Sequence, residues 1–133
     1  MILKLSIKNY ILIDKLDVNF KEGFSSITGE TGAGKSIILG ALNLISGARV
    51  DHQIVGPKNE KCIVEGEFLI SDSLVDFFNF HDLDFDDHTI LRREILVNGK
   101  SRAFINDSPV KLDIIKSLSE KLINVHSQNH NHI

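Results

Sequence analysis

A glycine-rich stretch near the start of the chain constrains the fold more than any other feature. Residues 29–36 read GETGAGKS and fit the pattern G-x-x-x-x-G-K-[ST]. Glycines let the backbone wrap closely and turn its N–H groups toward an anion. Lys35 can reach the outer phosphates of a triphosphate, and the Ser36 hydroxyl can ligate Mg²⁺. The pattern therefore predicts a phosphate-binding loop made of Gly29, Glu30, Thr31, Gly32, Ala33, Gly34, Lys35 and Ser36.

The flanks of this loop fit the context it requires, which is a strand before it and a helix after it. Residues 24–28 form a short, β-prone segment. Gly47 stands where a helix that starts at the loop would end. The apolar residues that fall at helical spacing between these points are Ile37, Ile38, Ala41, Leu42 and Ile45. Both flanks therefore support the loop.

Composition limits the class of protein. The 133 residues suffice for one domain with a core, and 42% of them are apolar. The formal charge of −3 argues against a free-standing basic nucleic-acid binder. Cys62 is the only cysteine, so a reducing cytoplasm is the simplest location. No apolar run approaches the roughly 20 residues of a membrane span, so we expect no membrane partner.

The rest of the sequence predicts a chain rich in strands. The segments with strand-like alternation or hairpin signals are 3–7, 16–20, 61–70, 89–97 and 101–105, with a last short strand at 123–126. Asn98-Gly99 predicts a tight hairpin, and residues 106–109 predict a second turn. The fold class is therefore predicted to be mixed α/β with an antiparallel β layer.

Two helices are expected besides the one after the loop. Residues 72–80 carry apolar side chains that suggest a short helix. Asp113 can cap a second helix that carries Ile114, Ile115, Leu118 and Leu122.

Several charged groups have two interpretations each. Arg92 and Arg93 point to opposite faces of a strand, where one can meet nucleotide or DNA, or both can pair with Glu65 or Glu67. Arg49 is similarly ambiguous. Two clusters of residues can be read either as a metal site or as ordinary surface residues. The first is acidic and contains Asp82, Asp84, Asp86 and Asp87, and the second contains His126, His130 and His132.

A β-hairpin ahead of the loop and an antiparallel layer beside it resemble the head of ATP-binding-cassette ATPases. More specifically, the sequence resembles the N-terminal part of the RecN family, bacterial DNA repair proteins among the structural-maintenance-of-chromosomes (SMC)-like ATPases. The resemblance runs nearly end to end. The stretches that carry it are LSIKNYILID (5–14), TGETGAGKS (28–36), SGAR (46–49), LRREI (91–95), NGKSRAFIN (98–106) and VHSQNH (125–130).

The resemblance implies ATP and Mg²⁺ as ligands. It also implies that residues 1–133 form the N-terminal lobe of an ATPase head, with the phosphate loop at 29–36 and a Q-loop region at 126–130. Gln128 matches the Q-loop glutamine, which reaches the metal or the attacking water. A glutamine suits this role because its amide both donates and accepts hydrogen bonds.

Other parts of the family pattern have no counterpart in these residues, namely the coiled coil, the signature motif, the Walker B acid pair and the switch histidine. We therefore expect a fragment that binds ATP weakly and hydrolyses it negligibly alone. The implied partners are the C-terminal lobe of the same head, a second head in a nucleotide-sandwiched dimer, and DNA through the parent protein. The implied role is in repair of DNA double-strand breaks, in the cytoplasm and associated with the nucleoid.

The sequence departs from the family at two places near these motifs. Val55-Gly56-Pro57-Lys58 stands where the family usually has Val-Arg-Pro-Gly, and Ser127 replaces the glycine before the Q-loop glutamine. Two further functions stay open at this point. One is a self-contained small nucleotide or metabolite kinase, and the other is a nucleotide-gated binding module without turnover.

Overall fold

One antiparallel sheet organises the part of the chain that the structure describes. This computed structural model describes residues 1–20, 32–50 and 52–131, without the side chains of residues 32, 33, 52 and 123–131. Six strands form the sheet, in the order β2-β1-β3-β4-β5-β6. They are β1 (Ile2–Tyr10), β2 (Ile13–Asn19), β3 (Cys62–Leu69), β4 (His88–Ile95), β5 (Ser101–Ile105) and β6 (Ser108–Val110).

Three α-helices accompany the sheet in the described residues. They are α1 (Gly32–Ile45), α2 (Val75–Phe80) and α3 (Leu112–Asn131). Single 3₁₀ turns lie at His52–Ile54 and Asp72–Leu74. Helix α1 packs against β3, β4 and α3, and α3 packs against β5.

Strand register separates an apolar face of the sheet from a polar one. Adjacent positions on four strands give the apolar row Leu5, Gly66, Leu91 and Ile105. The next row along lies on the other face and reads Ser6, Glu65, Arg92 and Phe104. Because side chains alternate between faces, α1 and α3 cover the apolar row and leave the polar row on the outside. The core lies between these helices and the sheet.

The described elements confirm the mixed α/β fold with an antiparallel layer. The Asn98-Gly99 hairpin is present, with Gly99 at φ 91°. Asn106 and Asp107 both have positive φ and make the second turn as predicted. The strand that follows this turn, β6, was not predicted. The predicted strand at 24–28 lies outside the described residues.

One element was predicted wrongly. Residues 123–126 were expected to form a strand, but they continue helix α3, which runs without a break to Asn131. The β-branched Ile123 and Val125 favour a strand locally. Helix propagation adds a hydrogen bond for each residue fixed, so a helix already packed through Leu118 and Leu122 extends readily.

Candidate functional site

The described end of the predicted phosphate loop opens helix α1. Gly32–Ser36 begin this helix, whereas residues 29–31 lie outside the described part of the chain. Both Lys35 and Ser36 are exposed. The first turn of α1 holds no acidic residue, so no carboxylate within it offsets the positive end of the helix dipole. The cation, the hydroxyl and the dipole together fit a phosphate–Mg²⁺ group.

The body of α1 is fixed against the sheet. Its buried side chains are Ile38, Ala41, Leu44 and Ile45. Halfway along the helix, the Tyr10 hydroxyl lies close enough to Gly40 that a side chain there would overlap it. Burial raises the pKa of Tyr10, and the nearby Cys62 raises it further. The phenol is therefore a neutral packing group beneath the helix.

The far end of α1 closes with a Schellman motif, as Gly47 predicts. The Ala48 N–H donates to Asn43 O at 3.1 Å, and the Gly47 N–H donates to Leu44 O at 3.2 Å. Gly47 has φ 92°, which a residue with a side chain adopts only with strain. The motif fixes where α1 ends, and so fixes its position along the sheet.

Arg49 lies just beyond this end and lines an open groove of about 930 Å³ between α1 and α3. The groove is far from Lys35, because its first lining residue on α1 is Asn43, about two helical turns further along. Lys116 and Glu120 give it charges of both signs. Its position and mixed charge do not match a triphosphate site.

Beside the β1–β2 turn, a second segment packs closely onto the chain. Asn9 is buried and has φ 52°. Its carbonyl oxygen accepts from the Gly56 N–H at 2.9 Å, and its side-chain Nδ2 donates to Glu60 O at 2.6 Å. The Ile11 N–H donates to Ile54 O at 2.7 Å. A Cβ on Gly56 would overlap Asn9 Oδ1. The arginine that the RecN family usually has at this position therefore does not fit this local packing.

Lys58, two residues after Gly56, already forms an ion pair. Its Nζ lies 2.6 Å from Asp14 Oδ1, with both side chains exposed. The hydrogen bond and charge of Asp14 raise the pKa of Lys58, outweighing a small opposing effect of burial. Lys58 is therefore an ion-pair partner on the surface of this segment.

The two adjacent arginines of β4 have separate structural roles. Arg92 donates from Nη1 to Asp107 at 2.7 Å and lies 3.3 Å from Glu94 and 3.7 Å from Glu65. It also stacks 4.2 Å over the Phe104 ring. Burial lowers the pKa of Arg92, but the Asp107 hydrogen bond and the three carboxylates raise it overall. This confirms pairing with Glu65 for one arginine, whereas Arg93 is buried on the opposite face.

The two clusters that could be metal sites differ in how much of them the structure describes. In the acidic segment, Asp82 has φ 56° and Asp86 Oδ1 accepts from the His88 N–H at 2.9 Å, which is a turn geometry. Among the described side chains, no three of His, Cys, Asp or Glu converge on a possible metal position. In the second cluster, His126, Gln128 and His130 belong to helix α3, where only their backbone is described. Their side chains, and all of His132, are outside the described structure.

Cys62 is a packing residue. It is fully buried in β3, and burial raises the pKa of its thiol to about 12. The neutral thiol therefore persists at physiological pH.

Within the described residues, no helix combines the length and apolar character needed to cross a bilayer.

Sequence comparison relates the whole chain to DNA repair proteins. The model of the family described as AAA domain matches residues 4–133. The DNA repair protein RecN of Vibrio cholerae is 40% identical over 130 residues, which cover 96% of this chain and 24% of that protein. RecN of Bacillus subtilis is 35% identical over 136 residues, again 24% of its length. The chain thus spans about a quarter of the relatives it matches.

The fold is similar to those of SMC ATPases and RecF. A chain from a study of ATP-driven dimerization and DNA-stimulated activation of SMC ATPases matches with TM-score 0.65 at 23% identity, over 87% of this chain and 75% of that one. The recombination mediator RecF matches with TM-score 0.60 at 21% identity, over 84% of this chain and 28% of that one. These likenesses confirm the head-lobe fold.

Proposed function

This chain belongs to the AAA domain family, and we propose that it forms the N-terminal, ATP-binding lobe of a RecN-like ATPase that acts in repair of DNA double-strand breaks. The observation that carries the proposal is the opening of α1. There Lys35 and Ser36 are exposed at the positive end of a helix whose body is buried against the sheet. A similarity that covers nearly the whole chain favours this role over a small kinase.

The chemistry of this lobe is electrostatic. Lys35 and the backbone N–H groups of the loop would neutralise the outer phosphates, and Ser36 would hold Mg²⁺. Mg²⁺ held there would supply positive charge against the phosphates. Gln128, near the other end of the sequence, would complete the site by contacting the metal or the attacking water. The family resemblance of residues 125–130 supports this role.

The remaining partners complete a hydrolytic site. A C-terminal lobe supplies the Walker B acids, and a second head supplies the signature motif across the nucleotide. The name of one structural neighbour, which refers to ATP-driven dimerization of SMC ATPases, supports this arrangement. DNA contacts the parent protein, and the complex works at the nucleoid in the cytoplasm. Alone, this lobe binds ATP without appreciable turnover.

Calorimetry with ATP·Mg²⁺ tests the binding half of the proposal. Lys35→Ala removes a charge-assisted phosphate contact worth about 1.5–3 kcal/mol, or about 10- to 150-fold in affinity. Lys4→Ala is the matched control, because Lys4 is an exposed lysine on the polar face of the sheet, away from α1. Equal affinity of Lys35→Ala and the unaltered chain would contradict the proposed site.

A further inference from the structure

Arg93 is a charged residue placed among apolar ones. It is 2% exposed and sits in the row of β-sheet positions that contains Ile7, Val64 and Ala103. Desolvation lowers its pKa. Within the described residues it has no carboxylate partner, and its Nε finds no hydrogen-bond acceptor. Burying a charge without an ion-pair partner costs free energy, so packing alone does not account for an arginine here.

The guanidinium of Arg93 is directed at the end of α1. Its Nη1 donates to Leu44 O at 2.9 Å and to Ala48 O at 2.8 Å, and its Nη2 donates to Ser101 Oγ at 3.3 Å. A cation at this end offsets the negative pole of the helix dipole. The planar fork of the guanidinium lets one side chain hold both carbonyls and the β5 hydroxyl. Arg93 therefore links the end of α1 to β4 and β5.

Helix α3 restrains the same end from another side. Ser119 is buried and donates to Ser46 O at 3.1 Å. A Cβ on Gly47 would lie 2.8 Å from Lys116 Cβ, so the two helices touch there. The end of α1 is thus fixed on two sides. Lys35 and Ser36 lie exposed at its other end.

The anchored end and the nucleotide end belong to one rigid element. The nine steps along the helix from Lys35 to Leu44 span about 14 Å at the helical rise of about 1.5 Å per residue. A shift or tilt of the anchored end therefore displaces Lys35 and Ser36 by a similar amount. Phosphate contacts tolerate little displacement, because charge-assisted hydrogen bonds are short and directional.

From these contacts we infer that Arg93 is a positioning residue of the nucleotide site. It sets the position of α1 on the sheet, and through α1 it sets where Lys35 and Ser36 meet phosphate, without touching the nucleotide. This inference rests on the proposed function. Without Arg93, only a fraction of molecules hold α1 correctly, and the apparent affinity falls by that fraction.

The test compares variants that differ in donors and in core packing. Arg93→Met keeps the volume but removes every donor, whereas Arg93→Lys keeps an ammonium that can bond the same carbonyls. Phe78→Leu is the control for general destabilisation, because Phe78 is a fully buried core residue of α2, against Phe85. Affinity for ATP·Mg²⁺ is measured by calorimetry at a temperature where circular dichroism shows every variant folded.

We expect Arg93→Met to bind ATP about tenfold more weakly, Arg93→Lys to recover most of the loss, and Phe78→Leu to bind normally. Should Arg93→Met not fold, Arg93→Gln takes its place, with a loss of at least about threefold expected because its amide is too short to reach both carbonyls. Unaltered affinity in these variants, or an equal loss in Phe78→Leu at matched stability, overturns the inference. Failure of the unaltered chain to bind ATP overturns the proposed function as well, so the two failures are distinguishable.

Discussion

At the scale of single residues, position relative to the sheet decides what a side chain does. Arg92 and Arg93 are neighbours of the same type, and strand alternation alone predicts that they face opposite ways. Their partners could not be predicted, because these depend on what packs on each face. Arg92 meets Asp107 across a turn, and Arg93 meets the carbonyls of α1, which is distant in sequence. Asn9 was missed for the same reason, since its partners Gly56 and Glu60 come from a distant segment.

Gly56 gives a prediction at this scale. Gly56→Ala places a methyl group against the Asn9 side chain and 3.0 Å from Ile11 O. Overpacking of this kind destabilises by about 1–3 kcal/mol, which urea denaturation measures directly. Pro57→Ala, at the exposed neighbouring position, serves as the control and should change stability little. A Gly56→Ala chain as stable as the original would show that Gly56 does not pack closely against Asn9 and Ile11.

At the scale of elements, local signals predicted what local chemistry determines. Asn98-Gly99 fixed a hairpin because its turn needs positive φ, and Gly47 ended α1 for the same reason. The sequence did not reveal β6, which is a short strand at the sheet edge with Pro109 at its centre. An edge strand tolerates proline, because one side makes no ladder bonds, so the usual rule against proline misled the prediction. The loop residues 29–31 remain a prediction.

The polar face of the β3–β5 sheet gives a prediction about a network. Glu94 is buried, and its described cations are Arg92 at 3.3 Å and Lys61 at 3.2 Å. Arg92→Met leaves this carboxylate partly unpaired, and we expect a loss of about 1–3 kcal/mol in the free energy of unfolding. Adding Glu94→Gln should restore part of the loss, because the charge that needed Arg92 is gone.

Urea denaturation of the two single variants and the double variant gives the coupling energy. Lys100→Met, an exposed cation of the same hairpin, is the control and should have little effect. Additive effects of Arg92→Met and Glu94→Gln would mean that the two side chains do not depend on each other.

At the scale of the whole molecule, the chain covers one sheet face and leaves apolar groups on its surface. Leu12 is 89% exposed and Phe80 is 83% exposed. The sequence predicted the fold class correctly, because strand alternation and turn signals are local, whereas the phosphate loop stays a prediction. It could not predict contacts such as Arg93 with Leu44 and Ala48, because these residues lie far apart in the sequence.

Exposed apolar groups lead to a prediction about association. A head lobe separated from its partner lobe should self-associate at about tens of micromolar, because uncovered apolar surface favours contact. Light scattering across that range should show dimers or larger species, and Leu12→Ser or Phe80→Ser should shift them toward monomer. A stable monomer throughout would favour a complete small enzyme instead.

We propose that this chain provides the nucleotide-binding half of an ATPase head and not its hydrolytic half. The most direct test is a phosphate-release assay on the purified chain, alone and together with the remaining portion of a RecN head. We predict negligible release from the chain alone, and turnover when the remaining portion is added, provided Lys35 is present. Turnover near about 1 s⁻¹ from the chain alone, lost in Lys35→Ala, would show a complete catalytic set within these residues and contradict the claim.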